Sequence, residues 1–254
     1  MSLFDLNNKT ILITGSSRGI GKSIAKHSAS HGANVIISSR SNEDCTKTAM
    51  EINEYVGSEK AFVITCDISK DEDLKNLINT TLDKFNKIDT LICNAASNSF
   101  MGSMLDIPME DFDKIMHNNI RSNQLLSNLA LPHMIDNGGG SIIIISSIAS
   151  IKGSSIIGAY NISKAADVMI VKNIATEFGH KNIRANAIAP GLIKTEFARA
   201  LWENPEILKS ALTGTPQNRI GEPDELGGAA VFLASAAGSY VNGHTIVVDG
   251  GTTV

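Results

Sequence analysis

The residues best suited to chemistry are Tyr160 and Lys164, in the run Tyr160-Asn161-Ile162-Ser163-Lys164. They open a stretch that reads as a helix running to about Phe178. Four residues is just over one helical turn, so the phenol and the ammonium share a face. An unperturbed tyrosine titrates at about 10, too high for ready proton exchange at neutral pH. A cation about 4 Å away, at an effective dielectric of about 20, contributes about 4 kcal/mol, or about three pKa units. The expectation is a tyrosine drawn into general acid/base range by its lysine. Tyr-x-x-x-Lys also arises by chance on amphipathic helices, so its meaning depends on the elements around it.

Those elements alternate. Thr10–Thr14 is a short β-branched run, expected as a strand buried on both faces. It enters Gly15-Ser16-Ser17-Arg18-Gly19-Ile20-Gly21 and then a helical stretch, Lys22–His31. Strand, glycine turn and helix in this order suit a dinucleotide: backbone N–H groups approach the pyrophosphate and the helix N-terminus favours its charge. The spacing is Gly-x-x-x-Gly-x-Gly, not the commoner Gly-x-Gly-x-x-Gly. The next strand, Asn34–Ser38, ends at Ser39-Arg40, where an acidic residue would accept a ribose 2′-hydroxyl. Arg40 there, with Arg18 in the glycine turn, suits a 2′-phosphate, so NADP(H) is expected over NAD(H), with NAD(H) still possible. Ala61–Thr65 reads as a strand with Asp67 just past its end, Asp71–Phe85 as a helix, and Ile88–Cys93 as a strand leading into Asn94-Ala95-Ala96-Ser97. Such repeats predict a parallel sheet covered on both faces.

In the second half Met109–Asp136 reads as one long helix, ending near Pro132, with Asn118-Asn119 inside it. A surface position is the ordinary expectation for either amide. Ser141–Ile145 reads as a buried strand ending at Ser146-Ser147, and Ile183–Ala189 as a sixth, closed by Pro190-Gly191. The segment 192–219 holds Trp202, Phe197 and Leu201, with Pro190, Pro205 and Pro216 in or near it. A segment of this kind after a strand's carboxyl end suits a lid over a crevice. Glu222–Ala236 reads as a last helix and Thr245–Asp249 as a last strand.

Composition sets bounds. The 254 residues, 43% hydrophobic and 19% charged, suit one soluble globular domain. A net charge of −4 argues against nucleic acid or an acidic membrane surface as partner. Cys45, Cys66 and Cys93 lack Cys-x-x-Cys spacing, so no disulfide framework or zinc knuckle is expected. The start lacks a basic region followed by an apolar run, and the run Ile142–Ile145 is too short to span a bilayer, so a cytoplasmic location is expected. His27 and His31 are four apart on a helix, but no carboxylate or cysteine cluster completes a metal site. Ser147 as a hydrolase nucleophile lacks a Gly-x-Ser-x-Gly elbow.

With these motifs in order, the whole chain resembles the classical short-chain dehydrogenase/reductase family. Thr14-Gly15-x-x-x-Gly19-x-Gly21 is similar to its cofactor loop, Asp67 to its adenine-contacting aspartate, and Asn94-Ala95 to part of its Asn-Asn-Ala-Gly turn. Asn119, Ser147, Tyr160 and Lys164 fall at its catalytic tetrad, and Pro190-Gly191 through Thr195 at its nicotinamide-covering segment. Asn94-Ala95-Ala96, Ala189 through Thr195, and Leu201-Trp202 look most like the NADPH-dependent carbonyl (retinol) reductases. The resemblance implies a Rossmann-type, doubly wound, parallel seven-stranded sheet in a single domain over 1–254. Its cofactor half would be about 1–100 and its catalytic half about 101–254. Cofactor contacts are implied for Gly15, Ser17, Arg18, Gly19, Ile20, Gly21, Ser39, Arg40, Asp67, Ile68, Asn94, Ala95, Tyr160, Lys164, Pro190, Gly191, Ile193 and Thr195.

It further implies hydride exchange between nicotinamide and a carbonyl or secondary alcohol. Tyr160 would move the proton, Lys164 would lower its pKa and bond the nicotinamide ribose, Ser147 would hold the carbonyl oxygen, and Asn119 would hold a relay water. A free ketone or aldehyde is the expected substrate, facing an apolar wall of Phe100, Met101, Met104, Ile156, Ile157, Phe197, Leu201 and Trp202. A 3-oxoacyl thioester reductase and a sugar or polyol dehydrogenase are the alternatives within the class; a non-catalytic NADP(H)-binding sensor is the alternative outside it. A homotetramer built on the two long helices is implied. Cys93 and Ala96 depart from the family turn, and Ala96 is expected to stiffen or shift the backbone beside the cofactor.

Overall fold

A computed structural model of the chain describes residues 2–254. The apolar runs become seven strands: β1 Thr10–Thr14, β2 Asn34–Ser38, β3 Ala61–Val63, β4 Thr90–Cys93, β5 Gly140–Ile145, β6 Ile183–Pro190 and β7 Thr245–Val248. They form one sheet in the order β3-β2-β1-β4-β5-β6-β7, with every pair parallel. Parallel neighbours require crossovers, and helices supply them on both faces. The expected Rossmann-type single domain is therefore what forms.

Alternation along each strand divides the core in two. Ile11, Ile13, Val35, Ile37, Ile143 and Ile145 face α1 (Gly19–Ser30), α2 (Asn42–Val56) and α9 (Asp224–Ala234). Leu12, Ile36, Leu91, Ile142 and Ile144 face α3 (Asp71–Phe85), α5 (Ser122–Asp136) and α6 (Gly158–Phe178). The strand order reverses between β1 and β4, and the crevice beyond their carboxyl ends is where such sheets hold ligands.

Several boundaries differ from expectation for physical reasons. The first helix begins at Gly19, inside the glycine run, not at Lys22. Helix α2 fills a connection in which no helix was expected; the Ser41 hydroxyl caps it by accepting Asp44 N at 3.2 Å, and Gly57 ends it at φ +68°. The single helix expected over Met109–Asp136 is α4 (Met109–Met116), a π turn at His117–Arg121, and α5. Helix α5 continues through Pro132 to Asp136. The segment 192–219 holds two short helices, α7 (Arg199–Trp202) and α8 (Pro205–Leu212). No helix among the described residues is long and apolar enough to cross a membrane.

Candidate active site

The first turn after β1 is built by close approach. Gly15 has φ +63°, and a Cβ there would stand 2.9 Å from Ala95 Cα; one on Gly21 would stand 2.5 Å from Gly15 O. A side chain at either position would push the turn away from the strand ends. Asn94 ties the two halves of the crevice together: its Nδ2 donates to Thr14 O and Gly15 O, both at 2.9 Å. Thr14 Oγ1 accepts Asn94 N and Ala95 N, both at 3.1 Å. Thr48 Oγ1 donates to Ser17 O at 2.7 Å and holds the turn from the α2 side. Helix α1 has no side-chain N-cap and no acid in its first turn, so its leading N–H groups and positive end are open to an anion.

The other residues expected to touch cofactor lie just beyond the carboxyl ends of the parallel strands. Arg18, at the N-cap of α1, is exposed, as is Arg40 beyond β2. The Asp67 carboxylate accepts Ser69 N and Oγ at 3.0 and 2.8 Å. Burial pushes that carboxyl upward, but the Ser69 bonds and the Arg40 and Lys70 charges leave it below its ordinary value. Arg40 and Asp67 thus feel one another across the end of the crevice. Ser39 Oγ lies 3.1 Å from Cys45 Sγ, and Ile68 packs on the core at its edge. On the far side, Pro190 ends β6 and Gly191 passes close to the Asp249 backbone. Ile193 is buried and bridges to Gly221. The Thr195 methyl sits over Gly19, where an added Cβ would lie 3.3 Å from it. Thr195 O accepts Trp202 Nε1 at 2.8 Å, and the Lys194 ammonium stands 5.9 Å from the Trp202 ring centroid. The open N–H groups of α1 and the exposed Arg18 and Arg40 fit an anionic dinucleotide, which the Gly15–Gly21 turn and the Arg40–Asp67 end would hold.

Of the residues expected to be catalytic, Lys164, Tyr160 and Ser147 meet between the end of β5 and α6. Lys164 is 2% exposed, and its Nζ donates to Ile145 O at 2.8 Å and Asp167 Oδ2 at 2.9 Å. It stands 5.6 Å from the Tyr160 ring centroid. Ser147 opens a short 3₁₀ turn, Ile148–Ser150, its Oγ accepting Ala149 N at 3.1 Å. The Tyr160 phenol departs from expectation. Burial pushes it above its ordinary value; Lys164 pulls down, the Asp167 carboxylate pushes up again, and a hydrogen bond with Ser147 pulls down. Desolvation and a counter-charge outweigh the lysine, whose attraction alone was reckoned from the sequence.

Asn119 is fully buried, not on the surface, and sits in the π turn. Its Oδ1 accepts Ser97 N at 2.8 Å, and its Nδ2 donates to Ser97 O at 2.9 Å and Ser163 Oγ at 3.0 Å. Asn118 is half-buried and donates to Ser97 Oγ at 3.1 Å. Three further residues complete the centre and were not expected: Ser163, Asn123 and Asp167. Their signal was available. Asp167 follows Lys164 by three positions on the inward stripe of α6, and Asn123 follows Asn119 by four. Cys93 lies beside Asp167 and Lys164 as a buried thiol, and Ala96 is accommodated half-buried in the turn.

Of the expected apolar wall, Phe197 lies 6.0 Å from Tyr160 between ring centroids, and Met104 packs against Gly158 at the start of α6. Ile156 O accepts Gly102 N at 2.8 Å, Ile157 bridges to Gly102, and Phe100 covers Gly102. Met101, Met104, Ile156 and Phe197 are exposed, while Leu201 and Trp202 are half-buried. His27 is half-buried against Gly227, with Nε2 3.6 Å from Asp224, and no metal-ligating cluster occurs among the described residues. All three cysteines are free and buried.

Residues 15–253 match the family model described as "Enoyl-(Acyl carrier protein) reductase". A curated relative, "Dehydrogenase/reductase SDR family member 4" of Bos taurus, is 40% identical over 247 residues, 97% of this chain and 88% of its own length. The chain belongs to the short-chain dehydrogenase/reductase family. It thereby falls among oxidoreductases that act on alcohol or keto groups with a nicotinamide cofactor. A 7α-hydroxysteroid dehydrogenase solved with NADH and 7-oxo glycochenodeoxycholic acid is similar at TM-score 0.92 and 38% identity, covering 98% of this chain and 95% of that one. A gluconate 5-dehydrogenase of Burkholderia cenocepacia solved with NADP and tartrate is similar at TM-score 0.93 and 33% identity, covering 98% and 97%.

Proposed function

We propose that this protein is an NADP(H)-dependent carbonyl reductase acting on an apolar ketone or aldehyde, and on the matching secondary alcohol in reverse. The observation that carries the reading is the convergence of Tyr160, Lys164, Ser147 and Asn119 beside a glycine cradle. A bound nicotinamide supplies or receives the hydride. Tyr160 gives its proton to the oxygen that becomes the alcohol and takes it back in oxidation. Ser147 donates a hydrogen bond to the same oxygen, where negative charge grows. Lys164 pulls the phenol's pKa down against burial and would bond the ribose of a nicotinamide nucleotide bound there. Asn119 braces Ser97 against Ser163 with its side chain, and its main-chain carbonyl accepts Asn123 Nδ2 at 2.7 Å.

Preference for NADP(H) is supported by Arg18 and Arg40 at the adenosine end and by a serine where an acid would select NAD(H). The NADH found in the hydroxysteroid enzyme keeps NAD(H) as the second cofactor. An apolar substrate is supported by Phe197 against Tyr160, Met104 against Gly158 at the start of α6, and the exposed Ile156 just before it. The 7-oxo bile acid in that same relative favours a bulky ring ketone as a second reading. A homotetramer is proposed on the α4–α5 and α6 faces, where Met109, Ile162 and Met169 are exposed apolar residues.

The test is NADPH consumption, with NADH alongside, against aromatic ketones, diketones, retinal, a 7-oxo bile acid, acetoacetyl thioesters and keto-sugars. Fast turnover of an apolar ketone with NADPH is the expected result. Turnover of only thioesters or keto-sugars would overturn the substrate class, and tight NADPH binding without turnover across a widened panel would favour the sensor.

A further inference from the structure

Helix α6 turns one stripe of side chains toward the sheet, and Ile170, Val171 and Ile174 on it are buried and apolar. Asp167 interrupts that stripe. Its side chain has no exposed surface; Oδ2 meets Lys164 Nζ at 2.9 Å, and Oδ1 accepts Asn123 Nδ2 at 2.9 Å. Asn123 is itself buried, on α5, and also donates to Asn119 O. Two of the three ammonium donors of Lys164 are thus committed behind the site, to Ile145 O and Asp167, leaving one for the side that carries Tyr160. Two buried ions cost free energy to desolvate before their attraction compensates, and an aliphatic residue at 167 would leave Lys164 buried and uncompensated. The acid is therefore tied to the lysine and not to the apolar packing of the stripe.

We propose that Asp167, oriented by Asn123, is a positioning residue for the Tyr160–Lys164 pair: it anchors the lysine ammonium and balances its charge, so that Tyr160 works as a proton donor in carbonyl reduction. The proposal rests on Tyr160 being the proton-transfer group. The titratable groups facing the carboxylate are Lys164 and Tyr160 from α6 and Cys93 from the end of β4. From α5 comes the neutral amide of Asn123. The Cys93 thiol is pushed up by burial and then by Asp167, so it stays protonated and adds no charge. With the carboxylate present, protonated Tyr160 and Lys164 leave the cluster neutral. Without it the same pair is a buried net cation, which releases its first proton at lower pH. Burial and Asp167 together hold Tyr160 above the ordinary phenol value, and burial lowers Lys164 less than Asp167 and Tyr160 raise it; burial also raises the Asp167 carboxyl itself, against the pull of the Lys164 ammonium and the Asn123 amide that keep it charged.

The experiment is an ultraviolet titration of tyrosinate in the full chain, which needs no substrate. The chain has three tyrosines, and Tyr55 and Tyr240 are exposed, so subtracting the Tyr160→Phe curve isolates Tyr160. In Asp167→Asn the Tyr160 transition should fall by about one pH unit or more, and Asp167→Glu should restore it toward the parent. The alkaline loss of carbonyl reduction should move down with it, through kcat and with KM little changed. A Tyr160 transition that stays in place in a folded Asp167→Asn chain overturns the proposal. Should Asp167→Asn fail to fold by circular dichroism, the smaller Asp167→Ser removes the same charge and is read the same way. A Tyr160→Phe chain that still turns over at near the parent rate would instead sink Tyr160 as the proton-transfer group, leaving the titration result standing as a statement about the pair.

Discussion

At the scale of single residues, the phenol and the two arginines carry the sharpest expectations. Tyr160→Phe should lower kcat at least about 100-fold while leaving NADPH affinity, read by nucleotide fluorescence, within a few-fold of the parent. The fold would be untouched, because the lost hydroxyl meets Ser147 and no structural carbonyl. Arg40→Asp should weaken NADPH about 10- to 100-fold, the worth of one charge-assisted hydrogen bond to phosphate, and leave NADH unchanged or tighter. Equal losses for both cofactors would remove the 2′-phosphate reading. The proton balance has a definite sign. Reduction needs the protonated phenol, and burial keeps that form at and above neutrality, so reduction should hold through neutral pH and fail on the alkaline side. A profile already falling between pH 6 and 7 would contradict it.

Between residue and fold stand the elements, and here the π turn is decisive. His117–Arg121 brings Asn119 inward to satisfy Ser97 N, Ser97 O and Ser163 Oγ. Asn119→Leu leaves Ser97 N and O without that partner, while Ser163 Oγ keeps its bond to Tyr160 O, and should cost about 2–3 kcal/mol, or about 4–12 °C in thermal midpoint. A shift of under about 2 °C would mean the brace is dispensable. The strands were legible because Ile11-Leu12-Ile13 and Ile142-Ile143-Ile144-Ile145 are continuous apolar runs, rich in β-branched residues, that can only be buried on both faces. Tyr160, Lys164 and Ser147 were legible because their spacing is local to one helix and one strand end. Helix α2 was not: of the four residues in its buried stripe, Cys45, Thr48, Ala49 and Ile52, only Ile52 is a large aliphatic, too thin a pattern to read. The π turn was not either, since a one-residue widening of a helix leaves no mark on composition. Asp167 escaped because charge balance in a closed pocket depends on which helices meet there, and Asn123 comes from another one.

For the molecule as a whole, the exposed apolar residues on α4 and α6 predict assembly. Four chains of 27.0 kDa should sediment as a particle of about 108 kDa. Met169→Glu, on an exposed α6 position, should dissociate it while preserving the circular dichroism of the chain. A parent that sediments as a 27.0 kDa monomer would refute the assembly. The π turn also bears on which changes in chain length this fold can absorb. An α-helix advances about 100° per residue. The wide turn at His117–Arg121 holds one residue more than an α-helix would between the same ends, so deleting one there would close the helix into regular α form with Leu126, Ala130 and Met134 still against the sheet, at the expense of the inward place of Asn119. Deleting a residue early in Ser122–Asp136 would instead swing every later position by that angle and turn Ala130 and Met134 toward solvent. This helix can lose a residue at one turn and at no other.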